Sequence, residues 1–350
     1  MEFEDYSIGV YGIGMKRAIF KLGKSIAIRS TYKKGRAQES FSVPIDVDEW
    51  LTRKDEKDWD FKIFSADALP EPGVQIAVSE LNADTKASFG DPGFEKHLRR
   101  MLSRDYTLHL HHGLHLALNK KPVIGWPIEL RESEQFEPIR LSYEDEAGVH
   151  VEILAGMASP PPETNDADDA ENDDPYGWYV ACNGRIVLGA DKTSVSGWGT
   201  DGWQVWHGQY NGFIGMVFFT SADAEALPLT TTKRSVDTLS GVYRRAQSRM
   251  RAAAQQWIKY TNARKQALEE AKVAEAKAQP ASIYSLKNQS VLKVPTLTAV
   301  PKERVANIHY SVPLARARTL GEALGNRMMH YRDIGKQSFE YTYKRLVGSK

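Results

Sequence analysis

The stretch Gly9-x-x-Gly12-x-Gly14-Met15-Lys16 sets glycines and a cation ahead of an apolar run, a combination that suits phosphate. Glycine lets the backbone approach closely, successive N–H groups converge, and a helix starting near Met15 adds its positive end. Two familiar phosphate loops do not match. The dinucleotide fingerprint GxGxxG needs a preceding strand and the opposite glycine spacing. Leu22-Gly23-Lys24-Ser25 ends like a Walker A loop, but the first glycine of that loop would fall at Ala18. A glycine-rich turn capping a helix is the alternative that these residues alone leave open.

Four further groups of residues could do chemistry. His109-x-His111-His112-x-x-His115 could supply three zinc ligands. On an alternating strand His109, His111 and His115 would share one face, no carboxylate sits nearby, and histidines on a strand face are the expectation. Trp198, Trp203, Trp206 and His207 lie between glycines and read as aromatic loop packing. Cys182 has no catalytic histidine pattern around it and reads as a packed thiol. Glu163–Asp174 is acidic without EF-hand spacing, and reads as a solvated loop.

The elements that must carry these residues begin with a helix, Met15–Leu22, closed by Gly23. Strands follow at Ser25–Thr31, Glu39–Pro44, Trp59–Phe64 and Gly73–Leu81, an antiparallel meander. A helix at Gly93–Ser103 precedes strands at Leu108–Leu118, Ile139–Tyr143 and Val149–Leu154. Gly177–Leu188 reads as two strands around an Asn183-Gly184 turn, and Phe213–Phe219 as a buried strand. Val236–Gln279 reads as one long helix, with Leu239, Val242, Ala246, Met250, Ala253, Trp257 and Tyr260 forming its apolar stripe. A helical pair, Thr319–Arg327 and Gly335–Leu346, closes the chain.

At 350 residues, with 41% hydrophobic and 26% charged residues, the composition is that of a globular protein of two or three domains. No uncharged apolar run approaches a membrane span, Met1–Asp5 is no signal peptide, and one cysteine excludes an internal disulfide, so the cytoplasm is expected. The net charge of +1 hides an asymmetry: Thr238–Lys350 carries +14 and residues 1–237 carry −13. A basic third behind an acidic body suits a polyanionic partner such as nucleic acid, or helices whose basic faces dock partly on that body. No aromatic–basic interleaving of a nucleic-acid module stands out along the sequence.

Gly9–Thr31, with Ile8-Gly9-Val10-Tyr11-Gly12-Ile13-Gly14-Met15-Lys16-Arg17-Ala18, then a helix and Ser25-Ile26-Ala27-Ile28-Arg29-Ser30, resembles the last nucleotide motif of the GHKL ATPases. The nearest likeness is to MORC-like and topoisomerase-type members. The Gly73–Leu81 strand looks like the family's closing strand of the ATPase domain, Asn119-Lys120-Lys121-Pro122-Val123 like the start of a transducer domain, and Leu227–Lys233 like its lysine-bearing loop. The resemblance covers residues 8 to about 250, with specific motifs at its two ends.

The resemblance implies an α+β chain: a partial Bergerat-type sandwich (1–95), a transducer-like domain (96–237, with a mobile acidic loop at 159–176), a long helix (238–279) and a basic helical tail (280–350). It implies ATP and Mg2+ as cofactors, with Gly9, Gly12, Gly14, Met15 and Lys16 at the phosphates and Lys233 as the switch lysine. Thr31 or Ser79 would approach adenine or a structural water. The family's general base, its magnesium-ligating Asn and its Asp-x-Gly-x-Gly motif precede this string. Seven residues before Ile8 cannot hold them, and Asp91-Pro92-Gly93 and Asp201-Gly202 are not displaced copies. The expectation is therefore that this chain does not hydrolyse ATP alone: the missing half is lost by truncation or a misplaced start, or a partner chain supplies it, and homodimerisation is expected of the complete form. The competing expectation is a non-enzymatic scaffold that binds nucleic acid and keeps a vestigial ATP site.

Overall fold

The computed structural model describes residues 12–35, 37–54, 60–163, 175–230, 232–233, 235–297 and 308–348. The chain is α+β, and it divides into two compact units, Met1–Val300 and Pro301–Lys350.

The first unit opens with helix α1 (Gly14–Leu22), strands β1 (Gly23–Lys34) and β2 (Ala37–Asp46), helix α2 (Val47–Leu51), and strands β3 (Phe64–Ser65) and β4 (Gly73–Leu81). They make a sheet of order β3-β2-β1-β4, with β1 antiparallel to both neighbours. Register sets Ile26 opposite Ile45 and Val78, and Ile28 opposite Val43 and Ile76, giving one apolar face. Ile19 of α1 closes one end of that face over Ile26 and Ile45. The other end is bare, with Ile76 40% and Val74 64% exposed. Gly23 joins helix to strand in extended backbone; a β-carbon there would stand 2.6 Å from the Ser79 carbonyl oxygen, so glycine is needed for close approach.

Helices α3 (Ala83–Gly90), α4 (Phe94–Asp105) and α5 (Thr107–His111) and the short hairpin β5 (Ala117–Leu118) and β6 (Lys121–Pro122) lead to the main core. Its strands are β7 (Glu129–Glu132), β8 (Ile139–Glu144), β9 (His150–Met157), β10 (Gly177–Cys182), β11 (Arg185–Asp191) and β12 (Phe213–Thr220). Helices α6 (Gly241–Arg264) and α7 (Leu268–Lys277) follow, then strand β13 (Gln279–Ser282) paired with β7. The large sheet has the order β11-β10-β12-β9-β8, with β10 and β12 parallel and the other neighbours antiparallel.

Both faces of this sheet are covered. Met250, Ala253 and Trp257 of α6 cluster with Ile153, Val180, Phe213 and Phe219 on one face. Leu108 of α5, Leu130 of β7, Ile283 and Leu286 cluster with Leu154, Tyr179 and Phe218 on the other. Strands buried on both sides need no alternation, which is why β9, β10 and β12 read as unbroken apolar runs. Asn183 and Gly184 both take positive φ (44° and 76°), the geometry expected of their hairpin turn.

Four elements differ from the sequence reading. The strand expected at 59–64 is confined to Phe64–Ser65, with residues 60–63 outside any strand. The strand expected at 108–118 is a helical turn at 107–111, because Thr107 and Leu108 are both buried and adjacent strand residues would face opposite ways. The single helix expected over 236–279 is two, broken at Lys265–Ala267, so that the small residues Ala271 and Ala274 of α7 become buried. The segment 281–313, Pro- and Val-containing, reads as irregular in sequence, yet β13 (Gln279–Ser282) pairs with β7, and Gln289 and Lys293 bridge to Arg140 and Glu137.

The second unit is a helical pair, α8 (Leu314–Ala323) and α9 (Tyr331–Leu346), each starting earlier than its sequence pattern indicated. α8 ends in a Schellman motif: Gly325 has φ +98°, the Asn326 amide donates to Gly321 O (2.9 Å) and the Gly325 amide to Glu322 O (3.0 Å). Gly321 lies against Ile334, to whose Cδ1 an added β-carbon would stand 3.0 Å.

Candidate functional site

The candidate phosphate loop stands at the start of α1. Gly12 has φ +63° with open space around it, so backbone conformation alone calls for glycine there. Helical hydrogen bonding begins with Arg17 N–H to Ile13 O (2.9 Å), no side chain caps the terminus, and the first turn holds no acid. Gly14, Met15 and Lys16 occupy that first turn and are exposed. Amides at an uncapped terminus, with Lys16 and Arg17 beside them, make a local field that favours an anion. Gly9 lies outside the described residues.

Lys233 sits in the connection between β12 and α6, far along the chain from that loop. Its φ is +55°, a left-handed conformation that a lysine adopts only where surrounding structure imposes it. The loop imposes it by backbone stitching. Lys233 N–H donates to Thr230 O (2.8 Å), Thr230 N–H donates to Ser235 O (3.2 Å), and Leu229 bridges to Val236. Leu227 and Val236 anchor both sides in the main core. Lys233 thus belongs to the surroundings of the large sheet, whereas Gly12–Lys16 belong to the small one; a cleft of about 460 Å³ lined by Glu132, Glu137, Leu286, Lys287 and Gln289 includes neither.

The secondary candidates resolve into structural roles. Thr31 is buried, its hydroxyl 2.9 Å from Ser40 Oγ and accepting the Leu69 amide (2.9 Å). Ser79 donates to Ser25 O (3.4 Å). The histidines do not share a strand face. His111 Nε2 lies 2.8 Å from Trp126 O, and His112 Nδ1 lies 2.7 Å from Leu108 O, while burial holds His109 below the usual imidazole range. Among the described residues no cluster of His, Cys, Asp or Glu could hold a metal ion. Trp198 packs edge-on against Trp203 (5.7 Å) and Trp206 (4.8 Å) and, with Tyr210, joins the main core. Burial pushes the Cys182 thiol up, away from the reactive thiolate.

Part of the basic third is docked on acids of the first unit. Arg245 of α6 makes a two-pronged pair with Asp145 at the β8–β9 turn (2.6 and 2.7 Å), and Arg249 stacks over the Tyr143 ring at 3.9 Å. The Arg245 guanidinium holds the Asp145 carboxyl below the usual carboxylate range. Among the described residues no helix is long and apolar enough to cross a membrane. Sequence reading missed the Glu132–Gln289 cleft and a ring-and-cation face on α9. The cleft has no linear signal, because its two walls are brought together by the β7–β13 pairing.

No family model matches this chain, and no curated protein matches it. Among solved structures it is similar to the B subunit of DNA gyrase from Myxococcus xanthus, at 10% sequence identity and a TM-score of 0.31, over 65% of this chain and 72% of that one.

Proposed function

We propose that α1 and the small sheet form a nucleotide-binding element of the GHKL kind. The amides of Gly12–Lys16 and the Lys16 ammonium would take the phosphates of ATP with Mg2+, and Lys233 would relay phosphate state to the large sheet and α6. The observation that carries this reading is the uncapped, acid-free start of α1 behind left-handed Gly12. In this reading residues 1–95 are the closing part of an ATPase domain, 96–237 a transducer, 238–279 its helical arm and 280–350 a tail. The bare end of the apolar sheet face, at Val74 and Ile76, would take a further helical layer bearing the general base and the magnesium-ligating Asn, in cis or from a partner chain. Hydrolysis then waits on that layer. A reducing cytoplasm suits an ATP-using chain with one buried thiol.

Calorimetry with a non-hydrolysable ATP analogue and magnesium tests the reading on the full chain. Micromolar binding that Lys16→Ala weakens by tenfold or more supports it. Absence of binding, or binding indifferent to both Lys16→Ala and Gly12→Val, sinks it. The second reading, a non-enzymatic scaffold that binds a polyanion, is favoured by the +14 balance of residues 238–350. Binding to nucleic acid that falls steeply with salt, without nucleotide binding, would favour it.

A further inference from the structure

Helix α9 brings together residues that the linear sequence scatters. Arg332, Lys336, Phe339 and Tyr343 recur at i, i+4, i+7 and i+11, which places all four on one helix face over about 16 Å. All four are exposed, Phe339 and Tyr343 at 53% and 52%, and these two rings stack 6.1 Å apart at 20°. Arg332 and Lys336 have no acidic partner among the described residues. The rings are not part of the unit's own core, since the buried residues among those described at 308–348 are Ala317, Gly321 and Ile334. The unit at 301–350 carries 10 Lys+Arg against 4 Asp+Glu, a balance of +6.

Charge and ring character together select the partner. A polyanion complements the +6 balance, and two exposed rings set among cations need a partner that also offers flat apolar faces. Unstacked bases of a single strand do so; the bases of a duplex are already stacked on one another. A bilayer surface would need aliphatic side chains to enter hydrocarbon, and along this face Leu346 is the one aliphatic, at its end. We infer that this face of α9 binds single-stranded nucleic acid, with phosphates on Arg332 and Lys336 and bases on Phe339 and Tyr343. The inference stands independently of the nucleotide site at α1.

Fluorescence anisotropy on the full chain tests it, with a labelled oligothymidylate, the duplex of the same length, and vesicles of phosphatidylserine and phosphatidylcholine. The single strand is expected to bind at least tenfold more tightly than the duplex at low salt. Phe339→Ala with Tyr343→Ala should weaken it by tenfold or more, because two bases lose the rings they stack on. Arg332→Gln with Lys336→Gln should flatten the dependence of log K on log salt by about 1.4, about 0.7 per lost phosphate contact on a single strand. All four positions are exposed, and unchanged helicity by circular dichroism confirms that the variants fold. Equal affinity for duplex, vesicle binding without oligonucleotide binding, no binding at all, or indifference to loss of both rings would each overturn the inference.

Discussion

Arg264 and Glu275 form a two-pronged ion pair (2.6 and 3.1 Å) across the break between α6 and α7. Their side chains are 7% and 2% exposed, and Tyr260 donates a third hydrogen bond to Glu275 Oε1 (2.5 Å). Arg264 also donates to Pro162 O (3.1 Å), so the elbow is tied to the loop after β9 as well. Removing one partner leaves a buried charge uncompensated, a loss of about 3–5 kcal/mol. Glu275→Ala is therefore expected to lower the denaturation midpoint in urea far more than Lys259→Ala on the exposed face of α6. Replacing both charges, Arg264→Met with Glu275→Leu, should recover most of the loss.

The Asp145–Arg245 pair makes stability depend on acid. Arg245 depresses the folded-state pKa of Asp145 below its ordinary 3.8. A depressed carboxylate contributes stability that is complete above its unfolded pKa and is lost as pH falls from there through the folded value. Asp145→Asn should remove this contribution, leaving the variant weaker than wild type near neutrality. The gap should narrow below about pH 4, measured by urea titration at a series of pH values.

Lys233 holds a left-handed backbone without being glycine, which is unfavourable by about 1 kcal/mol. Lys233→Gly should accordingly leave stability unchanged or raise it by a few tenths to 1 kcal/mol in thermal melting, whereas Lys233→Val should lower it. If Lys233 is the relay lysine, the glycine variant gains stability and loses the response to nucleotide.

At the centre of the large sheet, Gly215 faces the ring of Trp178, which a β-carbon would overlap. Gly215→Ala should be destabilising by about 1–3 kcal/mol through overpacking, with Trp178 fluorescence shifted toward that of a wetter indole.

How much of this was legible in sequence varies with how local the signal is. The Asn183-Gly184 hairpin, the α1–β1 junction at Gly23 and the buried stripe of α6 from Val242 to Tyr260 followed from turn chemistry and period, and stand close to where the pattern put them, whereas Leu239 lies ahead of the helix and is 83% exposed. The α6–α7 break did not, because Lys265-Gln266-Ala267 carries neither proline nor glycine and is enforced by the distant pairing of Arg264 with Glu275. The turn at 107–111 was misread because alternating His and Leu over so few residues fits either period. At the candidate site, the glycines and Lys16 announced a phosphate-suited terminus, but neither the left-handed Gly12 nor the strained Lys233 is written in residue type. The ring-and-cation face of α9 was hidden because the helix starts at Tyr331, and Arg332 joins the series only once that first turn is helical.

The single cysteine has a practical consequence. Cys182 is 0% exposed at the end of β10, between β11 and β12, so an alkylating reagent reaches it only when the large sheet opens. Its modification rate is then a clock for opening of the core, readable by mass spectrometry without any engineered label. Every native surface position is meanwhile free of competing thiols, so one introduced cysteine on α1 or α9 would carry a dye to a single address.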